Sequence, residues 1–296
     1  GSLDLFLEQV PESSAPFLTT FPPGHFYSPI PEMSEVDEHP LPLEVDDLGG
    51  LPGLKMNAEG QLALFRDELA PRAREIELPR DHDPAWRFSL DNWSFPIGDA
   101  LVYGSILRYL KPKQVIEVGS GWTTGLALDI NDKYLGGAVE ITAIEPYPEV
   151  VRRIIRREDH IKIIDSPVQS VSLDLFRALG EGDILFIDSS HVLKFGSDVY
   201  HILTRILPSL SPGVVIHFHD VFWPFEYPSA WLKWGRAWNE SYAVRAFLLF
   251  NTEFQVMFFN DWFPKRYRSV VLEEAPALLE NAGGSLWVRR AGGASG

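Results

Sequence analysis

The chain has no cysteine among its 296 residues. Disulfides, thiolate metal sites and a cysteine nucleophile are thereby excluded. It also lacks a surplus of cations: 26 Lys and Arg stand against 41 Asp and Glu, a formal charge of −15. Proteins that grip phosphate backbones use a Lys/Arg excess to release counterions, so a nucleic-acid partner is not expected. No apolar run approaches the length of a bilayer span, and no signal-peptide pattern opens the chain. No membrane partner is expected, and the predicted location is cytoplasmic.

The shortage of cations is concentrated at one end. Between Gly1 and Leu54 there is no Lys or Arg at all, while ten acidic residues fall there. Residues 1–55 also hold nine of the 23 prolines and little periodicity, which reads as a solvated arm. Within it, Phe21-Pro-Pro-Gly-His-Phe-Tyr-Ser-Pro29 is aromatic and turn-rich, the composition of a lid or of a cover for an apolar face. Leu62, Leu64, Phe65 and Leu69 predict a helix within 58–78, ended by the Pro- and Asp-rich break at 79–84. Gly1-Ser2 resembles a protease-cleavage scar and 291–296 a flexible tail, ends that suit either an excised domain or a trimmed protein. The expected division is an arm and helical lid over 1–94, a core over 95–290 with a cap insertion at 222–243, and the tail.

From Phe95 onward helix and strand alternate. A helix over 98–109 precedes a strand at Gln114–Val118. Further strands are predicted at 139–144, 161–164, 184–187 and 214–218, with helical segments near 124–131, 148–157, 172–179 and 197–208. Short, continuously apolar strands alternating with helices mark an α/β, doubly wound parallel sheet. After Asp220 comes an aromatic insertion, then a helix over 244–250 and two last strands at 254–259 and 285–290.

The most informative segment is Val115-Ile-Glu-Val-Gly-Ser-Gly-Trp-Thr-Thr-Gly125, at a strand-to-helix turn. Gly119, Ser120 and Gly121 let the backbone turn tightly and approach a ligand, beside the free N–H groups of a helix start. A dinucleotide fingerprint wants its third glycine three residues after the second, and Thr124 stands there instead. Glu117, two residues before the first glycine, suits a ligand that is cationic and carries no phosphate. The second strand ends in Glu145-Pro146, where a carboxylate accepts hydrogen bonds from ribose hydroxyls. Gln169, in the loop after the third strand, is placed for adenine.

These motifs, with Leu185-Phe-Ile-Asp-Ser-Ser-His191 and His217-Phe-His-Asp220, resemble the class I S-adenosylmethionine-dependent methyltransferases. More narrowly, they look like an O-methyltransferase branch whose members stand alone or sit inside modular polyketide synthases. The resemblance covers roughly residues 90–260. It implies a Rossmann-like, seven-stranded, mostly parallel sheet and S-adenosyl-L-methionine as methyl donor, with Asp188 on the donor side.

Asp188 and His219-Asp220 close adjacent strands, where ligands of open α/β sheets bind. Methyl transfer needs the acceptor aligned and its proton removed. His219 is the expected base, with Asp220 or Asp188 orienting it; His191 is a second candidate or a loop anchor, and His217 a core residue. Glu240, among aromatics, is a candidate partner for a histidine base, and Glu226 shares such surroundings. Catechol-type relatives place a divalent ion at these strand ends, for which Asp188, His219 and Asp220 would be the ligands. A metal-free site is favoured, because a histidine replaces one of the oxygens magnesium prefers.

The leading expectation is O-methylation of a β-hydroxyl on an acyl chain held by an acyl carrier protein. Arg152, Arg153, Arg156, Arg157 and Lys162 form a candidate docking patch. The alternatives are a stand-alone, metal-assisted O-methyltransferase of a sugar or phenol, and a non-catalytic S-adenosylmethionine-binding module.

Overall fold

The strand β1 (Gln114–Val118) is buried along all but its first residue, as a strand covered on both faces must be. Around it a computed structural model, describing residues 20–38 and 50–292, assembles one seven-stranded sheet. The strands are β2 (Glu140–Ile144), β3 (Ile161–Ile164), β4 (Ile184–Ile187), β5 (Val215–Phe218), β6 (Phe254–Phe259) and β7 (Leu286–Arg290). Their order is β3-β2-β1-β4-β5-β7-β6. The first five run parallel, and β7 inserts antiparallel between β5 and β6. This is the Rossmann-like class I methyltransferase sheet. The order reverses between β1 and β4, the switch point where such sheets open a crevice.

The helices α1 (Ile97–Leu110), α2 (Trp122–Tyr134), α3 (Glu149–Ile154), α4 (Leu173–Arg177) and α5 (Asp198–His201) precede or link the parallel strands. α1 stops where Lys111 turns into the left-handed region ahead of Pro112, a residue that cannot continue a helix. α6 (Glu240–Leu248) starts earlier than the periodicity of 244–250 suggests and so takes Glu240 into its first turn. Two helices not foreseen, Trp262–Arg266 and Arg268–Glu274, occupy the connection from β6 to β7. Among the described residues no helix is long and apolar enough to cross a membrane.

The chain falls into two compact units. The larger comprises 47–226 and 239–296, the smaller 1–46 and 227–238. Residues 58–73 lie in the larger unit with the sheet. The helical run there bonds to β6: Gln61 Oε1 accepts from Phe259 N at 2.9 Å, and Asn57 Nδ2 donates to the Val256 carbonyl at 3.0 Å. Arg87 clamps the following segment. Its guanidinium, 4% exposed, pairs with Asp129 at 2.9 Å, Asp132 at 2.8 Å and Asp159. In the smaller unit, the helices Met33–Glu38 and Ser229–Lys233 pack together. There the Arg236 guanidinium lies 4.6 Å above the Trp231 ring and 5.1 Å above that of Trp238. Residues 293–296 of the expected tail 291–296 and the arm residues 1–19 and 39–49 lie outside the described residues.

Candidate active site

All the candidate site residues lie in the larger unit. At the end of β1, Gly119 adopts φ +86° and its N–H donates to the Ile144 carbonyl at 3.0 Å. A Cβ there would meet the Asp188 carbonyl oxygen at 1.9 Å, so only glycine lets the ends of β1 and β4 lie this close. The turn leads into α2, where Gly121 N donates to Thr124 Oγ1 at 3.2 Å. Thr124 Oγ1 in turn donates to Glu117 Oε2, and the Tyr103 hydroxyl donates to Glu117 Oε1 at 3.3 Å. Glu117 is fully buried, and burial pushes its carboxyl up to about 7 against the pull of those two bonds. It props the turn from behind.

Beside this turn opens a cleft of about 440 Å³. Gly119, Glu145, Pro146, Gln169 and Asp188 line it, five of the residues expected to hold the donor. Glu117, Ser120 and Gly121 sit behind its wall. Glu145 Oε2 accepts from Ser120 N at 3.1 Å and Oε1 from Tyr147 N at 2.9 Å. Burial raises the Glu145 carboxyl, and those two N–H groups temper the shift. Gln169 Nε2 donates to the Gly196 carbonyl at 2.9 Å, tying the loops after β3 and β4 together across the cleft. The Ser120 hydroxyl is buried without a hydrogen-bond partner, a donor and acceptor held in reserve at the turn.

The loop after β4 carries the second part of the site. His191 takes φ +59°, a left-handed backbone uncommon outside glycine. Its carbonyl accepts from both Asn239 N and Glu240 N at 3.1 Å, which plugs the start of α6 onto the loop. Leu193 N donates to Asn239 Oδ1 at 2.6 Å, extending the same junction. His191 Nδ1 then lies 2.8 Å from Glu240 Oε2, and Ser189 Oγ donates to Glu240 Oε1 at 3.2 Å. On its other side His191 Nε2 faces Asp188 Oδ1 at 3.3 Å and Asp220 Oδ2 at 3.5 Å. Burial opposes charge on this ring, but hydrogen bonds to Asp188 and Glu240 outweigh it and hold its pKa well above the usual imidazole value.

His219, at the end of β5, is differently placed. Its Nε2 stands 3.5 Å from Asp220 Oδ1 and 3.4 Å from the Ser94 carbonyl, and its ring packs 5.3 Å from that of Phe95. Its Nδ1 is buried and has no hydrogen-bond partner. Burial works against its charge; the carboxylates of Asp220, Asp188 and Asp99 outweigh this and raise its pKa. Asp188 responds in the opposite sense, held below the ordinary carboxylate range by the His219 charge and the His191 hydrogen bond, against the desolvation of its partly buried position. Asp220 also takes a left-handed backbone, φ +57°.

Asp99 is a site neighbour that sequence reasoning missed. It is buried under His219 and accepts from Asn260 Nδ2, Ser285 N and Gly284 N at 2.9 to 3.1 Å. The available signal was an acidic residue in the first turn of the mostly apolar Ile97–Leu110 stretch. His217 is a core residue, stacked 3.7 Å from the Phe186 ring and 2.8 Å from Ser285 Oγ. Among the described residues no group of three or more His, Asp or Glu side chains is arranged to hold a metal ion. Of the set considered for a divalent cation, Asp188 and Asp220 face His191 Nε2, and His219 Nε2 lies 3.5 Å from Asp220 Oδ1.

Residues 116–221 match a family model described as a methyltransferase domain. The match spans β1 to the end of β5 and includes Glu117, Gly119, Glu145, Asp188, His191 and His219. An uncharacterized protein of Archaeoglobus fulgidus is 34% identical over 170 residues, which take in 55% of this chain and 76% of the archaeal one. The chain belongs to the family of that archaeal protein. The sheet of this chain is a class I methyltransferase fold. Among solved structures it is similar to the S-adenosylhomocysteine-bound methyltransferase PaMTH1 of Podospora anserina, at 17% identity, with a TM-score of 0.45 over 86% of this chain and 98% of that one. It is also similar to the O-methyltransferase TomG of Streptomyces achromogenes in complex with S-adenosylmethionine, at 11% identity, with a TM-score of 0.42 over 78% and 90%.

Proposed function

We propose that this methyltransferase uses S-adenosylmethionine to methylate an oxygen, with His191 as the base that takes the acceptor proton and Glu240 as its orienting partner. The observation that carries the reading is the 2.8 Å pair of His191 and Glu240 beside Asp188, a residue of the cleft wall. A base is recognised by the group that orients it. His219, the base expected from sequence, has its nearest carboxylate contact at 3.5 Å, beyond a normal hydrogen bond.

The cleft fits the donor chemically. Its volume lies within the range of small-molecule sites. Glu145 offers a carboxylate to ribose hydroxyls, and Asp188 offers one to a cation. When bound, the donor supplies an electrophilic methyl group. The chain's part is to hold the acceptor oxygen in line and to remove its proton: His191 Nε2 receives it, and Glu240 steadies the imidazolium through Nδ1. His219 and Asp220 complete the charge balance on the other flank.

The acceptor we favour is a β-hydroxyl of a polyketide chain on an acyl carrier protein. Arg153 and Arg157, both exposed, offer cations to an acidic carrier, while Arg152 is paired with Asp165 at 2.6 Å. Calorimetry with S-adenosylmethionine and with NAD tests the donor. Mass spectrometry of hydroxyacyl carrier proteins and of free hydroxylated metabolites, scanned for a gain of one methyl, tests the acceptor. Binding of NAD in place of S-adenosylmethionine would end the reading. Loss of activity after exhaustive chelation with EDTA would replace the histidine base with a metal.

A further inference from the structure

His191 has carboxylates at both ring nitrogens: Glu240 at Nδ1, and Asp188 and Asp220 at Nε2. A neutral imidazole keeps one proton, and its two sides compete for it. To accept a proton at Nε2 in the proposed reaction, the ring must keep its own proton on Nδ1, toward Glu240. Whatever fixes Glu240 therefore decides which nitrogen is reactive.

Glu240 is 1% exposed and begins α6, 49 residues from His191. Its backbone N–H is already committed to the His191 carbonyl. Its side-chain oxygen Oε1, turned away from His191, accepts from Ser189 Oγ at 3.2 Å. Ser189 also lines the donor cleft, directly after Asp188. We infer that Ser189 is a positioning residue: its hydroxyl holds Glu240 so that Oε2 stays on His191 Nδ1, which makes Nε2 the unprotonated nitrogen that accepts the proton. This rests on the reading of His191 as the base. It adds a residue whose role runs through Glu240 and which ties the orientation of the base to the wall of the donor cleft.

The mechanism is geometric. The Glu240 contact is shorter than the two on the Nε2 side, 2.8 Å against 3.3 and 3.5 Å. Without the serine hydroxyl, a carboxyl group loses one of the bonds that define its rotamer, and the advantage of the short contact is diluted. The surrounding charges, Asp188, Asp220 and the neighbouring His219, are unchanged by the substitution.

The test is nuclear magnetic resonance of the His191 ring nitrogens in the full chain at alkaline pH, where the ring has given up its second proton. In the parent the proton is expected on Nδ1. In Ser189→Ala the share on Nε2 should rise about tenfold relative to that on Nδ1, equivalent to ~1.4 kcal/mol. Ser189→Thr, which keeps the hydroxyl, should restore the parental spectrum. Ser189→Cys, close to serine in size but a weak donor, should shift it in the same direction as alanine and serves if the alanine variant does not fold. Parental ring-nitrogen shifts in both the alanine and cysteine variants would overturn the inference. Calorimetry with S-adenosylhomocysteine on the same samples separates the two levels. Absence of binding in the parent defeats the methyltransferase reading, whereas a tautomer that does not respond to position 189 defeats only the role of Ser189.

Discussion

His191 Nδ1 and Glu240 Oε2 lie 2.8 Å apart, although 49 residues separate them in sequence. The aromatic insertion that opens with Phe222 occupies the last part of that interval, and the pair forms because the start of α6 donates two backbone N–H groups to the His191 carbonyl. A side-chain contact between a loop residue and a helix N-terminus is thus held by two backbone hydrogen bonds, which fixes the ring more firmly than the side chains alone.

Replacing either partner should strike the chemical step more than donor binding. For His191→Asn, turnover is expected to fall about 10²–10⁴-fold, the usual contribution of a positioned base. Glu240→Gln should fall by a smaller factor of the same kind. The dissociation constant for S-adenosylhomocysteine should stay within about threefold of the parent, since neither residue belongs to the cleft lining. Steady-state rates and calorimetry on the same preparations check both statements.

The pH profile follows from the charge around the ring. A base works in its neutral form, and carboxylates hold the His191 pKa well above the usual imidazole value. Turnover should therefore rise with pH and reach its plateau only on the alkaline side of an unperturbed histidine. Asp188→Asn removes one of those carboxylates and should move the rising limb toward lower pH. A limb at the ordinary imidazole position in the parent would contradict the assignment.

Gly119 permits the contact between the ends of β1 and β4. Gly119→Ala must relieve a Cβ placed 1.9 Å from the Asp188 carbonyl oxygen, on a backbone at φ +86°. The ends of the two strands should separate. Donor affinity should fall by at least about tenfold and stability by several kcal/mol, roughly the cost of forced overpacking plus left-handed strain. Calorimetry and denaturant melts report the two losses.

Glu117 makes stability depend on pH in a direction that can be stated. Its pKa rises from an ordinary 4.5 to about 7 on folding, chiefly through burial. Between those values the native state holds a proton that the unfolded chain has released, so this group's contribution is fully present below 4.5 and is lost as pH rises through about 7. Glu117→Gln should flatten that part of the stability curve by an amount on the order of 3 kcal/mol across the window. Urea melts over a pH series measure it.

Arg87 should be a point of failure for the fold. It is nearly fully buried and bridges Asp129 and Asp159, themselves almost without exposure. Arg87→Ala leaves two buried carboxylates uncompensated and should cost about 3–5 kcal/mol, read as a drop in the midpoint of chemical denaturation.

The strands β1, β3, β4 and β6 coincide with the runs legible in sequence, and β2, β5 and β7 start one residue later than those runs. Each is a short, mostly apolar run, and the central strands β1, β4 and β5 are buried on both faces, so composition and length suffice to locate them. The turn at Gly119 was legible for a related reason: its conformation needs a residue without a Cβ. Glu145, Gln169 and Asp188 close strands or open the loops after them, and parallel topology brings all such ends to one edge. Periodicity did not reveal the helices between β6 and β7. Nor could it show that 58–73 packs on β6, because that depends on two polar residues, Asn57 and Gln61, finding backbone partners some 200 positions away.

What the sequence by itself determined is therefore the sheet, the glycine turn and the row of polar residues at the strand ends, all set by local steric and burial rules. Only the tertiary structure decided how that row is paired. It gave Glu240 to His191, set His219 against a backbone carbonyl, and turned Glu117 inward to Tyr103 and Thr124. Those choices depend on where loops and helix starts meet in space, and hydrogen bonds between residues far apart in the chain leave no period or motif to read.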